Sequence, residues 1–392
     1  MKQPRRRHGP GLRRLACVAL CGALAACDEP EHEVYHPIAD SLTADPAEAV
    51  HVTRDGTASL PDGVRAFVQR LEGRRVQASI GVLEGEPEYE FGMPESAAFL
   101  GDGSLAVLDR QAREVSVFDP RDGSHRYVLG GPGEGPGEFQ APMELVVREA
   151  DELWVVDGPR AHRFRQGADE RFEFRDRLDV DGYTEDGCAT AGGSVVVHAP
   201  SLLDTEEAAS TVLQTLDPDG ELQTAFGAAY RHDNRLVARQ MNQSLMACTD
   251  EEVLLATRNL NRLDAYDPTT GERLWHASFE GIEVPSVREQ RTEDGQTAVQ
   301  LDVEGQPVSH VLLNVRAAPG GPALVQFGRR YLEDMLEGED GYVVETFVVD
   351  PAAGEGAHLG EDLPEVLAMD ESRIAFYRED PVPRVEVAVL DP

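Results

Sequence analysis

Short apolar runs of the kind that form β-strands alternate with turns rich in glycine, aspartate and proline over most of the chain. This alternation begins at Arg74 and continues to the C-terminus, which is typical of a large all-β domain. Before it, Val64 to Leu71 is the one segment that suits a short helix, within a helix or linker at residues 61–73. The pattern therefore predicts one all-β domain over residues 74–392.

Two repeats divide this domain into units. The first repeat is a pair of strands joined by a tight turn, and its clearest copies lie at residues 96–109 and 143–157. The first apolar residue after the turn recurs at blade-sized intervals, at Leu105, Leu153, Val195, Val253, Ala323 and Ile374. Six copies of the pair predict six structural units.

The second repeat is an apolar strand that ends in Asp-Pro, usually followed by a glycine. Its copies end at Asp119-Pro120, Asp217-Pro218, Asp267-Pro268, Asp350-Pro351 and Asp391-Pro392. Asp-Pro presets a β-turn that the glycine completes, so each unit is expected to hold four antiparallel strands. The sequence predicts a six-bladed β-propeller, and the orphan strand at residues 75–83 is expected to complete the last blade and hide its edges.

The loop between the first two units carries the most specific motif. Residues 130–142, Gly-Gly-Pro-Gly-Glu-Gly-Pro-Gly-Glu-Phe-Gln-Ala-Pro, resemble the inter-blade loop of six-bladed NHL-like propellers, and residues 86–92 and 115–119 fit that family's first blade. The resemblance covers about residues 74–392 and is strongest in the first two units. The chain resembles in particular the exported lipoproteins of this family, whose molecular function is mostly unassigned. This resemblance implies a propeller in the cell envelope.

The N-terminus has the pattern of an export signal. Residues 1–14 carry six positive charges and no carboxylate, and the apolar stretch at 15–26 is too short to span a bilayer. It ends in Leu-Ala-Ala-Cys at 24–27, which resembles the lipobox of bacterial lipoproteins. We expect residues 1–26 to be a signal peptide and Cys27 to carry the lipid. An ordinary signal peptide that happens to precede a cysteine is the alternative.

Residues 27–60 are acidic and rich in proline, alanine and aspartate, which predicts a flexible tether. Together with the signal, this tether predicts an exported protein that Cys27 anchors in the bacterial cell envelope, either on the periplasmic side or at the cell surface. The membrane is then one partner, through the lipid. The sequence does not decide between inner and outer membrane.

The overall charge excludes some classes of binding partner. The chain has 36 Lys and Arg against 72 Asp and Glu, a formal net charge of −36. Nucleic acids and anionic lipid headgroups carry the same sign and are poor partners for such a surface. The expected partner is an unknown protein or a polar small molecule, and the chain is expected to be monomeric.

Two cysteines remain in the domain, Cys188 and Cys248, in a compartment where disulfides can form. They lie at similar distances before the apolar strands that follow them, on equivalent strands of neighbouring units. Side chains placed in this way are expected to point in the same direction around the ring. Two buried thiols are therefore favoured, with a disulfide as the alternative.

No residue is assigned to catalysis, a cofactor or a metal. The sequence has neither a nucleophile elbow nor a short metal-ligand spacing such as His-x₃-His. Asp109 and Asp157 end the second strand of the first two units, but the later units lack equivalent carboxylates for a channel cation. These aspartates are expected to pair locally with Arg113 and Arg163.

The leading functional hypothesis is a lipid-anchored extracytoplasmic binding module. Its longest excursions lie around residues 204–211, 230–243 and 286–306, and loops at a channel mouth usually carry propeller functions. A possible partner-binding loop contains Arg231, His232, Arg235 and Arg239, which favours an anionic or polar partner. The alternatives are a cation-dependent enzyme of the lactonase or hydrolase type and a purely structural envelope lipoprotein.

Overall fold

The computed structural model describes residues 34–35, 48–54, 60–200, 211–230, 235–283, 286–291, 297–302, 308–317, 320–331, 341–352 and 355–390. The predicted signal peptide and Cys27 lie outside these ranges. The described residues form mainly strands, and none of their helices has the length and apolar character needed to cross a membrane.

The elements follow one another as sets of antiparallel strands. Those before the first blade are β1 (Val34–Tyr35), β2 (Glu48–Val52), α1 (Asp62–Glu72) and β3 (Arg75–Ile80). Blade one contains β4 (Pro94–Phe99), β5 (Leu105–Asp109), β6 (Glu114–Phe118) and β7 (His125–Gly130). Blade two contains β8 (Pro142–Glu149), β9 (Glu152–Gln166) and β10 (Phe172–Thr184). Blade three contains β11 (Asp186–Ala189), β12 (Val195–His198), β13 (Thr211–Leu216) and β14 (Leu222–Ala228).

The second half repeats the arrangement with two insertions. The helix α2 (Arg235–Met241) precedes blade four, which contains β15 (Ser244–Cys248), β16 (Val253–Thr257), β17 (Arg262–Tyr266) and β18 (Arg273–Phe279). A hairpin of β19 (Ser286–Arg291) and β20 (Thr297–Asp302) pairs with β1. Blade five contains β21 (Val308–Ala317), β22 (Ala323–Tyr331), β23 (Val343–Asp350) and β24 (Glu355–Gly360). Blade six contains β25 (Glu365–Met369), β26 (Arg373–Arg378), β27 (Arg384–Val389) and β3.

The first strand of every blade lies at the centre of the ring. It contacts the first strands of both neighbouring blades, in the cyclic order β4, β8, β11, β15, β21, β25 and back to β4. Apolar side chains from facing blades interlock between the sheets, as Leu108 and Val117 of blade one do with Leu153 and Val155 of blade two. The prediction of an all-β, six-bladed propeller is therefore confirmed.

Blade two also has four antiparallel segments, because the long strand β9 folds back on itself and supplies two of them. The amide of Gln166 donates to the carbonyl of Asp151 at 2.8 Å, so the two halves of β9 lie side by side. The reversal falls at Gly158, whose φ of +62° is a conformation that glycine adopts without strain. This blade therefore has the same hairpin construction as the others.

The N-terminal strand β3 closes the last blade. It pairs antiparallel with β27, with Ile80 opposite Val385 and Arg75 opposite Val389. Ala78 and Ile80 are buried in the cluster between blades six and one. The predicted closure is confirmed, and it covers an edge that would otherwise expose unpaired backbone groups.

The tether predicted over residues 27–60 is wrong for its last part. The strand β2 pairs parallel with β18, the outermost strand of blade four, and makes a fifth strand there. Val52 is fully buried between blades four and five, and the Arg54 guanidinium lies 2.8 Å from the carboxylate of Glu345 in blade five. Because the outer edge of β18 offers a full row of backbone partners, this segment docks as a strand.

The helix α1 lies against blades five and six. Its residues Val64, Phe67 and Leu71 recur at helical spacing and are buried. They pack on a cluster that includes Leu324 of blade five and Phe376 of blade six. The helix begins directly after Pro61, a residue suited to the start of a helix because it needs no backbone N–H partner there.

Cys188 and Cys248 form a disulfide, with their Cα atoms 5.4 Å apart, so the expectation of two buried thiols is wrong. Cys248 lies opposite Val253, the first residue of β16, whereas Cys188 lies opposite Val196, the second residue of β12. A shift of one residue along a strand turns the side chain to the other face of the sheet. Cys188 therefore points towards blade four and Cys248 towards blade three.

Candidate functional site

The central channel opens at the face where the inner strands begin and the second strands end, which we call the mouth face. Since strands alternate in direction within a blade, the fourth strands also end there. The long connections that follow β14 and β18 therefore leave from the mouth face, as does the connection between β12 and β13. These are the excursions in which the sequence predicts a binding role.

A cavity of about 90 Å³ lies at the mouth, and its lining is dominated by ionisable side chains. Seven of them carry formal charge: Glu95, Glu144, Glu185, Glu365, Arg258, Arg316 and Arg330. Tyr342 and Tyr377 also line the cavity, and the hydroxyl of Tyr342 donates a hydrogen bond to the carboxylate of Glu365 at 2.7 Å. A pocket of this composition suits a polar ligand rather than an apolar one.

The two signs of charge occupy different sectors of the ring. The carboxylates come from blades six, one, two and three, whereas Arg258 and Arg330 come from the adjacent blades four and five. Within the described ranges, the Nε atom of each of these two arginines is buried without a hydrogen-bond partner. The guanidinium of Arg330 stacks over the Tyr342 ring, 5.8 Å from its centroid. The mouth is therefore electrically polarised across its width.

Arg316 spans the channel below the mouth. It extends from blade five to blade two on the opposite side of the ring, where its Nη2 lies 3.1 Å from Oε2 of Glu144. Its Nε donates to the carbonyl of Leu367 in blade six at 2.8 Å. Glu144 also accepts from the hydroxyl of Ser96 and from the amide of Leu145. This bridge links four blades and forms the floor of the cavity.

A second buried carboxylate lies beside this bridge. Asp186, the first residue of β11, is fully buried and accepts hydrogen bonds from the amides of Gly187 and Met246 at 2.7 and 2.8 Å. Burial, reinforced by the nearby charge of Glu144, raises the pKa of Asp186 to about 8. Burial also raises the pKa of Glu144. Two buried carboxylates thus share one guanidinium, and the Asp186 carboxyl keeps its proton at neutral pH.

His198 lies directly opposite Asp186 in the pairing of β11 with β12. It is fully buried, and burial lowers the pKa of its imidazole to about 4. At neutral pH the ring is therefore uncharged. The mouth of blade three thus contributes two neutral titratable groups behind the charged lining of the cavity.

The predicted partner-binding residues lie mostly beyond what the structure describes. Arg231 and His232 fall outside the described ranges, Arg235 begins α2, and Arg239 is an exposed residue of the same helix. The helix is attached to blade four, since the amide of Arg258 donates to the carbonyl of Gln243 just after it at 2.8 Å. Arg239 therefore lies on the arginine-bearing sector of the mouth face.

The aspartates that end the second strands of the first two blades hold loops in place. Asp109 accepts from four backbone amides, including those of Gly92 and Gln111, and Asp157 accepts from the amides of Gln140 and Ala141. They were expected to pair with Arg113 and Arg163, and this is wrong for Arg163, which pairs with Asp176 in β10. A backbone clamp needs no arginine because several amide donors already satisfy the carboxylate. No group of three or more His, Cys, Asp or Glu residues suited to a metal occurs in the described part of the chain.

Sequence reasoning missed the charged lining of the mouth. It considered only the ends of the second strands, whereas the carboxylates lie at the beginning of the inner strands. An acidic residue stands at that place in four units, as Glu95, Glu144, Glu185 and Glu365. This recurrence is a signal that an alignment of the units could have found. The arginines have no such regular position, because Arg258 directly follows the second strand of blade four and Arg330 is the last but one residue of the second strand of blade five, whereas Arg316 lies in an inner strand.

The fold and the charged mouth define a six-bladed β-propeller with a polar channel opening. The chain belongs to the family described as DUF5128, 6-bladed beta-propeller, whose model matches residues 82–297. No curated protein sequence matches the chain.

Similar solved structures include a protein from Bacteroides fragilis described as exported, which is 9% identical and gives a TM-score of 0.54 over 88% of this chain and 100% of that one. A calcium-binding regucalcin from Agrobacterium tumefaciens is 13% identical, with a TM-score of 0.44 over 80% of this chain and 96% of that one. A virginiamycin B lyase from Staphylococcus aureus is 11% identical, with a TM-score of 0.43 over 81% and 100%. At these identities the likeness concerns the fold alone.

Proposed function

We propose that the protein is an exported, lipid-anchored propeller that binds a polar ligand or partner at the mouth of its central channel. The observation that carries this proposal is the cavity at the mouth face, lined by charges of both signs from all six blades. Below the cavity, the bridge between Arg316 and Glu144 crosses the channel, which supports a closed binding pocket rather than a pore.

Three features support export and anchoring. The N-terminal segment has the charge and length of a signal peptide and ends in a lipobox-like cysteine, Cys27. The bond between Cys188 and Cys248 is of a kind that persists in oxidising compartments outside the cytoplasm. Two or three acyl chains on Cys27 would hold the protein stably in a bilayer, whereas one would not.

The anchor is tested by fractionating cells that produce Cys27→Ala. We expect this variant in the soluble fraction or as unprocessed precursor, and we expect the wild type to float with membranes and label with a palmitate analogue. Cys21→Ala is the matched control, because it removes a cysteine from the same segment and leaves the lipobox intact. A Cys27→Ala protein that is processed and still floats with membranes contradicts the anchor.

Binding at the mouth is tested by native mass spectrometry of the mature protein purified under mild conditions. We expect a bound small molecule on the wild type that is lost from the double variant Arg258→Gln/Arg330→Gln. The control is Arg378→Gln, since Arg378 likewise lies near the end of a second strand but is exposed and bonded to Glu386 at 3.2 Å. A ligand retained by the double variant contradicts this site, and chelator-sensitive hydrolysis of a lactone would favour the enzyme alternative.

A further inference from the structure

We infer that the cavity at the channel mouth binds a small zwitterion, a molecule of amino-acid size that carries one carboxylate and one ammonium group. This inference rests on the proposed function and names the chemical class of its ligand. It comes from the separation of charge across the mouth, the groups there that lack a partner, and the volume enclosed.

The arginine sector offers a site for a carboxylate. Arg258 and Arg330 line the cavity from neighbouring blades, and each has a buried Nε without a partner among the described residues. Guanidinium groups bind carboxylates through paired, charge-assisted hydrogen bonds. Arg316, by contrast, is already bonded to Glu144 and Leu367, so it serves as the floor rather than as a binding group.

The carboxylate sector offers a site for an ammonium. Glu185 is half-buried and lines the cavity from blade three, and Glu144 lines it from the neighbouring blade two. Asn314, on the inner strand of blade five, adds a further acceptor from the centre of the ring: it lines the cavity, is only 4% exposed, and its Oδ1 lacks a hydrogen-bond partner within the described ranges. An ammonium group donates three hydrogen bonds and would satisfy acceptors of this kind.

Charge alone excludes simpler ligands. A plain anion would meet Arg258 and Arg330 but would also approach four glutamates, and a plain cation would meet the glutamates but approach the arginines. A ligand with separated charges of both signs has favourable contacts on both sides of the mouth. Such a ligand therefore matches both sides of the lining.

The volume limits the size of the ligand. The space of about 90 Å³ at the mouth holds about six to nine water-sized sites. This is comparable to the non-hydrogen atoms of a small amino acid such as alanine or serine.

The test is isothermal titration calorimetry on the purified mature protein. The probes are glycine, L-alanine and L-serine, with acetate and inorganic phosphate as anions alone and methylammonium as the cation alone. We expect at least one amino acid to bind and each single-charge probe to bind at least about tenfold more weakly, because each lacks one set of charge-assisted hydrogen bonds. Equal binding of acetate or phosphate overturns the inference in favour of an anion site, and a panel in which no amino acid binds also overturns it.

Variants assign the two ends of the ligand. Arg258→Gln and Arg330→Gln should each weaken binding of the amino acid about tenfold or more. Glu185→Gln should also weaken binding of the amino acid, but it should not weaken the binding of acetate, because it removes a negative charge from the lining. Arg378→Gln should leave all affinities unchanged. Unaltered amino-acid affinity in the Arg258, Arg330 and Glu185 variants contradicts the site. If a different molecule co-purifies and is lost from Arg258→Gln/Arg330→Gln, the binding role stands and the ligand class is wrong.

Discussion

The buried carboxyl of Asp186 should make the stability of the propeller fall as the pH rises. Its pKa is raised from an ordinary 3.8 to about 8 by burial and by the nearby Glu144. Between these values the unfolded chain releases the proton while the folded protein keeps it. The free energy of unfolding therefore decreases by about 1.4 kcal/mol per pH unit, and by about 4 kcal/mol from pH 5 to pH 8.

The perturbation that isolates this effect is Asp186→Asn. An asparagine carries no charge at any pH, but its amide can accept from only one of the two backbone amides of Gly187 and Met246, which costs about 1–3 kcal/mol. At pH 5 the unfolding free energy of the variant should be equal to that of the wild type or slightly lower. At pH 8 it should be the more stable protein by about 3–4 kcal/mol, because the wild type loses about 4 kcal/mol between pH 5 and pH 8 and the variant does not.

The assay is urea unfolding followed by the fluorescence of Trp154 and Trp275, at unit intervals from pH 5 to pH 8. The quantity to compare is the difference in unfolding free energy between variant and wild type. His198, whose pKa is lowered to about 4, makes stability rise with pH up to about 6.5, but it is present in both proteins and cancels in that difference. A difference that is constant over this range would show that Asp186 is ionised in the folded protein and would refute the reasoning.

Two further predictions concern contacts between blades. The variant Cys188→Ser/Cys248→Ser removes a link between residues 60 apart in sequence and should lower the unfolding free energy by about 4 kcal/mol. Dithiothreitol should lower the unfolding free energy of the wild type but not that of the variant. Arg54→Ala removes a guanidinium from the buried carboxylate of Glu345 and should cost about 2 kcal/mol in urea unfolding. Arg165→Ala is the control: Arg165 pairs with the half-exposed Asp151, so this variant should lose less than about 0.5 kcal/mol of unfolding free energy. Equal losses of unfolding free energy in the two arginine variants would show that the docking of β2 does not depend on the ion pair between Arg54 and Glu345.

Much of the fold could be predicted because strand pairs and Asp-Pro turns repeat at regular intervals. The turn residues predict the number of blades. The orphan strand at residues 75–83 predicts how the ring closes, and in the structure β3 pairs with β27. What could not be predicted depends on contacts between segments distant in sequence. The docking of β2 depends on the free edge of β18, and no residue within 48–52 indicates that edge.

The candidate site was harder to predict for a related reason. The disulfide was misjudged because the turn between β11 and β12 is one residue longer than the turn between β15 and β16, which changes the register of Cys188 relative to Cys248. Likewise, the Arg316–Glu144 bridge joins blades on opposite sides of the ring, and nothing in the local sequence of either residue indicates the other. The sequence points to the arginine-bearing sector only through Arg239 and its neighbours, because nothing in the local sequence distinguishes Arg258 and Arg330 from other arginines.

The pairing of β3 with β27 also imposes an order on biosynthesis. β3 is made before every strand of blades one to five except β2, and its partner β27 follows all of them. β3 therefore has no partner until the rest of the propeller has been made, and bringing the two strands together requires contact between residues at opposite ends of the domain. Until then, blades one to five can form only as an open arc with two unpaired ends. The interval before ring closure is thus the period when the chain is most exposed to proteases and to wrong strand pairing, and any factor that protects nascent protein would act there.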